Sequence, residues 1–207
     1  ASEILFNKQD KVIGVATCDM GRLKDGTEGP NFEQGIELHA TQTIFSEGCR
    51  GHLGKILMKK VDLNKDNSPQ TYGIGIKELW EVSPENSKPG SILHTTGWPL
   101  KTDTYGGSFL YHLDNNKVSI GFVIGLDYKN PYLSPYMEFQ RFKHHPEIKK
   151  ILEGGRRINY GARALNEGGI QSLPKLTFPG GMLTGCEAGF LNVCLLYTSP
   201  SPRDLVI

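Results

Sequence analysis

Residues 178–193 read FPGGMLTGCEAGFLNV. A Pro-Gly-Gly turn leads into the short apolar run Met182, Leu183 and Thr184. Gly185 and Cys186 follow, and then Glu187, Ala188, Gly189, Phe190, Leu191 and Asn192. This is the pattern of a strand that stops at a glycine and hands over to a helix start. It restricts the chain to folds with strand-to-helix junctions. Such a junction bares backbone N–H groups at the positive end of a helix, which suits a phosphate or a flavin ring. An ordinary tight strand-to-helix turn is the alternative.

With 207 residues there is room for one large domain or two small ones. A net charge of +1 leaves no electrostatic footprint for nucleic acid. No stretch is long and apolar enough to span a membrane, and no secretory signal opens the chain. The four cysteines, Cys18, Cys49, Cys186 and Cys194, form no C-x-x-C pair, so no metal site is expected from them. Their wide spacing reads as buried free thiols in a reducing compartment.

Along the chain, residues 1–7, 12–17 and 35–40 read as strands of a small antiparallel meander, with a turn at 24–26 inside a polar loop. Residues 41–45 form a fourth strand that runs into Glu47-Gly48, an acidic-glycine turn suited to a nucleotide or simply a turn. Residues 52–60 carry helical apolar spacing in Leu53, Ile56 and Leu57. The polar residues 62–69 are a boundary. Beyond it, residues 71–80, 91–98, 107–113 and 117–126 read as four strands of an antiparallel sheet, the last two joined by a hairpin at 114–116. Ser134 and Pro135 are an N-cap and first helical residue, and a second short helix begins at Pro146. Residues 157–165 are a further strand.

Tyr105-Gly106-Gly107-Ser108-Phe109 is the sharpest motif of the sheet region. Two glycines entering a strand leave backbone groups open to a flat ligand, and Tyr105 and Phe109 can wall it; a bulge is the alternative. His39, His144 and His145 have no carboxylate at a metal-like spacing and read as exposed or satisfied histidines. The basic residues 141–157 read as a solvated face that can also dock an acidic protein. No hydrolase triad order or phosphate-binding P-loop occurs, so no side chain is assigned a catalytic role, and any chemistry falls to a cofactor. Residues 194–204, CLLYTSPSPRD, place two prolines where the helix beginning at 189–193 should continue. The string resembles translated sequencing adapter, and residues 194–207 are expected to be an artefactual tail.

Several segments together resemble one family. They are EGCRGHLGK (47–55), QTYGIGIKELW (70–80), GWPL (97–100), TYGGSFLYHL (104–113), GLDYKNPYLSP (125–135), EFQRFKHHP (138–146), LEGG (152–155), YGARALNEGG (160–169) and PKLTFPGGMLTGC (174–186). The similarity is to the electron-transfer flavoprotein–ubiquinone oxidoreductases and runs from about residue 3 to residue 193. Cys49 and His52 look more like the mitochondrial branch of that family than the bacterial one.

The resemblance implies an α+β / α/β fold: a partial glutathione-reductase-type FAD domain with an antiparallel-sheet quinone-binding domain. Residues 1–61 would be part of the FAD domain, 70–165 the quinone domain with two short helices, and 166–193 the return to the FAD domain. It implies FAD and one [4Fe-4S] cluster, electron-transfer flavoprotein and ubiquinone as partners, and the matrix side of the mitochondrial inner membrane (the bacterial inner membrane for a prokaryotic source). It matches Glu47, Gly48, Gly185 and Cys186 to flavin contacts. Asn130 falls in a loop like the one approaching the flavin ring, and Asn192 lies beside the junction. Tyr105, Gly106, Gly107 and Phe109 match the quinone site. Neither the family's first G-x-G-x-x-G unit nor its cluster cysteines fall within these residues, so the chain alone is expected to bind flavin weakly or not at all. A flavin-dependent reductase of the geranylgeranyl reductase type shares the flavin turns but not TYGGSFLYHL or EFQRFKHHP. A non-catalytic fragment is the remaining alternative.

Overall fold

The computed structural model describes residues 1–191. Asn192 and the 194–207 tail, with Cys194, lie outside the described residues. The chain divides into two compact units, one made of Ala1–Gln70 and Gly168–Ile207, the other of Thr71–Glu167.

The first unit opens with strands β1 (Glu3–Phe6) and β2 (Val12–Ala16), which pair antiparallel. Asn7 Oδ1 accepts the N–H groups of Gln9 and Lys11, each at 2.9 Å, and so closes the turn between them. The polar loop expected next is a second hairpin of β3 (Met20–Arg22) and β4 (Glu28–Glu33) around residues 24–26. Its sequence lacks apolar alternation because both strands stay exposed. Asp25, Asp19 and backbone pairing hold it instead: Asp25 Oδ1 accepts from Thr27, and Asp19 accepts from Arg22 and the Gly35 N–H. Strand β5 (Glu37–His39) returns to pair with β2, completing a three-stranded antiparallel sheet. Strand β6 (Thr43–Phe45) follows, then helix α1 (His52–Val61), whose Leu53 and Leu57 are buried at the spacing of one helix face.

The second unit is a five-stranded antiparallel sheet backed by two helices. Its elements are β7 (Tyr72–Glu81), β8 (Ile92–Thr96), β9 (Gly106–Leu113), β10 (Lys117–Gly125), α2 (Pro135–Lys143), α3 (Pro146–Leu152) and β11 (Arg156–Asn166). The order is β11-β7-β10-β9-β8, so the strand after the helices extends the expected four-stranded sheet by one. The β9–β10 hairpin turns through Asn115 (φ 57°) and Asn116 (φ 54°), the doubly left-handed geometry that matches strand twist. Ser134 Oγ caps α2 by accepting the Met137 N–H at 3.4 Å, and Pro135 begins the helix. One sheet face carries Val118, Ile120, Phe122, Ile124 and Leu110. These pack on Phe139, Phe142, Ile148 and Leu152 of the helices. Burying each such side chain contributes about 1.5–3 kcal/mol.

A charged group interrupts this core. Glu78 is 2% exposed, and its carboxylate accepts from Lys143 Nζ at 2.8 and 3.0 Å, Arg157 at 3.1 Å and the Trp80 indole at 2.8 Å. The basic stretch is therefore not simply a solvated face. Lys143 and Arg157 hold an inward carboxylate, while Arg141 pairs with Glu138 and Arg156 with Glu81.

The chain then re-enters the first unit. β12 (Thr177–Phe178) and β13 (Gly181–Leu183) form a hairpin over the Pro-Gly turn, and β13 runs parallel to β6. Helix α4 (Gly185–Ala188) is one turn long and ends at Gly189, φ 82°. The helix expected from Gly189 onward is absent over 189–191, where the left-handed glycine ends α4, and the rest of it lies outside the described residues. Val12, Phe45, Leu53, Leu57, Leu63, Phe178, Leu183 and Ala188 make this unit's core. The thiols are not buried as expected: Cys18 is exposed, and Cys49 and Cys186 are half-buried. Cys18 lies in the short link between β2 and the exposed β3–β4 hairpin.

Candidate functional site

The two halves of the junction in the first unit stand side by side. Leu183 of β13 lies opposite Phe45 of β6 in the parallel ladder, and the Thr184 N–H donates to the Phe45 carbonyl at 3.0 Å. Glu47-Gly48 and Gly185-Cys186 therefore leave the carboxyl ends of adjacent parallel strands, the place where α/β sheets present ligands. Gly48 (φ 96°) and Gly185 (φ 60°) both adopt left-handed backbone that a side chain would strain. A Cβ built on Gly185 meets nothing within 4 Å, so the turn is open to a flat ligand.

The chemistry around α1 is acidic. Glu47 Oε2 accepts the Gly54 N–H at 2.9 Å, and its Oε1 lies 3.3 Å from His52 Nδ1. Glu187, on α4, is 4% exposed, and its carboxyl fills the notch left by Gly51 and Gly54, where a Cβ on either would collide with it. Burial, and next the charge of Glu47, push the Glu187 pKa above the ordinary carboxylate value. A phosphate at the start of α1 would face both carboxylates, and four-residue α4 sums too few peptide dipoles to attract one. Of the two ligands the sequence left open, the open glycine turns fit a ring and its linker better than a phosphate.

In the second unit the sheet face opposite the core is poor in side chains. Gly73, Gly75, Gly107, Gly121 and Gly125 all fall on it: Gly125 is paired with Gly73, Val123 with both Gly75 and Gly107, and Gly121 with Phe109. The Phe109 ring lies over Gly121, close enough that a Cβ there would strike it, and stacks on Tyr111 with centroids 4.8 Å apart. His94 meets the Tyr111 ring edge-on at 5.6 Å. These residues form a shelf with an aromatic wall, partly covered: Gly73, Gly121 and Gly125 are buried, Gly121 under the Phe109 ring.

The glycine pair splits across the sheet. Gly106 faces the core, where a Cβ would meet Leu100 Cδ1 at 2.5 Å; Gly107 faces the shelf. Gly107 is flanked by Val123 and Thr96 in the ladder, so its backbone is not open as expected, whereas Gly106 has a ladder partner on the β10 side only. Tyr105 is half-exposed at the shelf's end, with its Cβ 3.4 Å from the Cβ position of Gly125. Two carboxyl groups that the sequence did not single out share that end. Asp127 Oδ1 lies 3.0 Å from the Cβ position of Gly125, and the Glu167 carboxyl lies 2.5–2.9 Å from that of Gly73. Burial, then the charge of Asp127, raise the Glu167 pKa, and its Oε1 is buried with no hydrogen-bond partner.

Asn130 spends its side chain locally, Oδ1 accepting the Tyr132 N–H at 3.0 Å, and lines a cleft of 230 Å³ with Thr104, Leu100 and Arg141. Among the described residues no three His, Cys, Asp or Glu side chains are grouped to hold a metal ion, and no helix is long and apolar enough to cross a membrane.

Residues 72–165 match the family described as ETF-QO, ubiquinone-binding. The chain is 63% identical over 195 residues to the pig mitochondrial electron transfer flavoprotein–ubiquinone oxidoreductase, covering 93% of this chain and 32% of that protein. The human protein of that name is 62% identical over the same shares, and the Dictyostelium discoideum protein 56% identical over 193 residues, 93% and 32%. The chain thus spans about a third of the length of these relatives. Among solved structures, a geranylgeranyl bacteriochlorophyll reductase-like protein from Thermoplasma acidophilum matches with a TM-score of 0.62 at 17% identity, over 91% of this chain and 41% of that one. The flavin-dependent halogenase CmlS matches at 0.55 and 11% identity, over 96% and 32%. At these identities the likeness is one of fold.

Proposed function

We propose, for a chain that belongs to the electron-transfer flavoprotein–ubiquinone oxidoreductase family, that it supplies the quinone site and part of the flavin site of an enzyme passing electrons from reduced electron-transfer flavoprotein to ubiquinone. The observation that carries this reading is 56–63% identity across 93% of the chain. Against a geranylgeranyl-reductase-type activity stands the 17% identity to the solved protein of that kind, which supports a common fold only.

FAD, when bound, stores electrons between the donor protein and the quinone. The residues that the first unit offers to it are Glu47, Gly48, Gly185 and Cys186; Asn130 and Asn192 remain assignments from the family resemblance alone. Gly48 and Gly185 supply the close backbone approach, supported by their positive φ angles and the open space over Gly185. The quinone head would lie on the shelf, with Gly107 as floor, Phe109 and Tyr105 as walls, and Gly106 offering backbone at the end of β9. No acid–base side chain is needed for electron transfer itself, and quinone reduction takes up protons. The [4Fe-4S] cluster of the family is assigned no ligand among the described residues. The mitochondrial relatives support residence in that organelle, and we extend this to the matrix face of the inner membrane, where ubiquinone is dissolved.

Photolabelling the intact enzyme with azido-ubiquinone and mapping the peptides tests the quinone site. Label within residues 104–113 is expected; label confined to other peptides removes the shelf from the site. Gly107→Leu should raise the quinone KM about tenfold, a loss of ~1.4 kcal/mol, while flavin reduction by the donor protein is retained.

A further inference from the structure

We propose that Glu187 is the positioning residue of the flavin junction, its acid proton shared with Glu47 across the notch left by Gly51 and Gly54. The inference rests on the flavin assignment of the two turns. Glu187 sits one residue beyond Cys186, so whatever fixes it also fixes the Gly185-Cys186 turn. It is 4% exposed, and its Oε2 is buried with no hydrogen-bond partner. A Cβ built on Gly51 would collide with both Glu187 Oε2 and Glu47 Oε2, so the two oxygens border the same glycine. Two ionised carboxylates in such a notch repel; with one proton between them they form a hydrogen bond to a charged acceptor, the stronger kind. That bond would join the turn after β6 to the turn after β13, while Glu47 keeps its second anchor on the Gly54 N–H at 2.9 Å.

The glycines are part of the device. Gly51 and Gly54 stand at the cap and third position of α1, and Gly54 costs helix stability relative to alanine. The notch they leave is filled by the Glu187 carboxyl. The titratable groups facing Glu187 are Glu47 on the preceding turn and His52 on α1. His52 Nδ1 lies 3.3 Å from Glu47 Oε1, the oxygen other than the one that accepts the Gly54 N–H.

The test compares wild type with Glu187→Gln, which keeps a donor but cannot ionise, and with Glu187→Ala. In the 207-residue chain, thermal midpoints are followed against pH. The wild-type midpoint should fall relative to Glu187→Gln as pH rises above the ordinary glutamate range. Curves that stay parallel overturn the shared proton, and so does a separation that is undiminished when Glu47→Gln is added to both, since burial of Glu187 alone would then account for it. In the intact enzyme, FAD affinity should drop at least tenfold in Glu187→Ala and be restored in Glu187→Gln; equal affinity in all three overturns the positioning role. Diverging pH curves with label from a flavin photoprobe absent from both turns would instead overturn the flavin assignment beneath it.

Discussion

Glu78 shows how a single residue can set the terms for its surroundings. Burial works to raise its pKa, but the hydrogen bonds from Lys143, Trp80 and Arg157 outweigh that and hold it below the ordinary carboxylate value. Lys143→Met removes the donor with two contacts and leaves the charge buried. It should cost about 3–5 kcal/mol, measured by chemical denaturation. A depressed pKa gives stability that is present above the unfolded value and lost as pH falls through the folded one, so acid should weaken wild type more than Glu78→Gln. Glu167 has the opposite sign. Its raised pKa gives stability present at low pH and lost as pH rises through the folded value. Glu167→Gln should therefore gain on wild type in thermal midpoint as pH rises, and a constant difference across pH would contradict this. Neither glutamate could be singled out from the sequence. Glu78 is 65 residues from Lys143 and 79 from Arg157, and only the folded sheet and helix bring them together.

At the scale of elements, local chemistry was legible wherever it was self-contained. The Ser134-Pro135 start of α2 needed only a hydroxyl and a ring, and the Asn115-Asn116 hairpin only side chains that tolerate left-handed backbone. Asn116→Gly should stabilise the hairpin by about 0.5–1 kcal/mol by relieving that conformation, read from the urea midpoint; a loss would mean the Asn116 side chain makes a contact worth more than the strain. The β3–β4 hairpin was not legible, because exposed strands have no apolar face to alternate. Over 189–191 the expected helix is absent for a related reason. Glycine marks helix ends as well as junctions, and φ 82° at Gly189 makes it an end. At the shelf, periodicity of two located the strands. That five glycines share one face follows from register across three strands, which no single segment contains.

For the whole molecule, the family was legible because its motifs are long and ordered, whereas the sites were legible only as candidate positions. The turns and the TYGGSFLYHL strand were in view, but the acids beside them, Glu187, Asp127 and Glu167, carried no motif. The inserted unit begins and ends at neighbouring points, the Glu167 N–H donating to the Thr71 carbonyl at 2.8 Å, and has its own core. Thr71–Glu167 expressed alone should therefore show a cooperative thermal transition; a gradual, sloping melt would mean it depends on the flanking segments.

The parallel pairing of β6 with β13 has a consequence in time as well as space. Phe45 leaves the ribosome long before Leu183, its neighbour in the ladder. At the usual pace of synthesis the interval is on the order of ten seconds. Throughout it, β6 offers a bare edge to anything nearby. The inserted unit can fold in that interval, but the junction closes last, and a nascent chain stalled before residue 181 is the form a chaperone would hold.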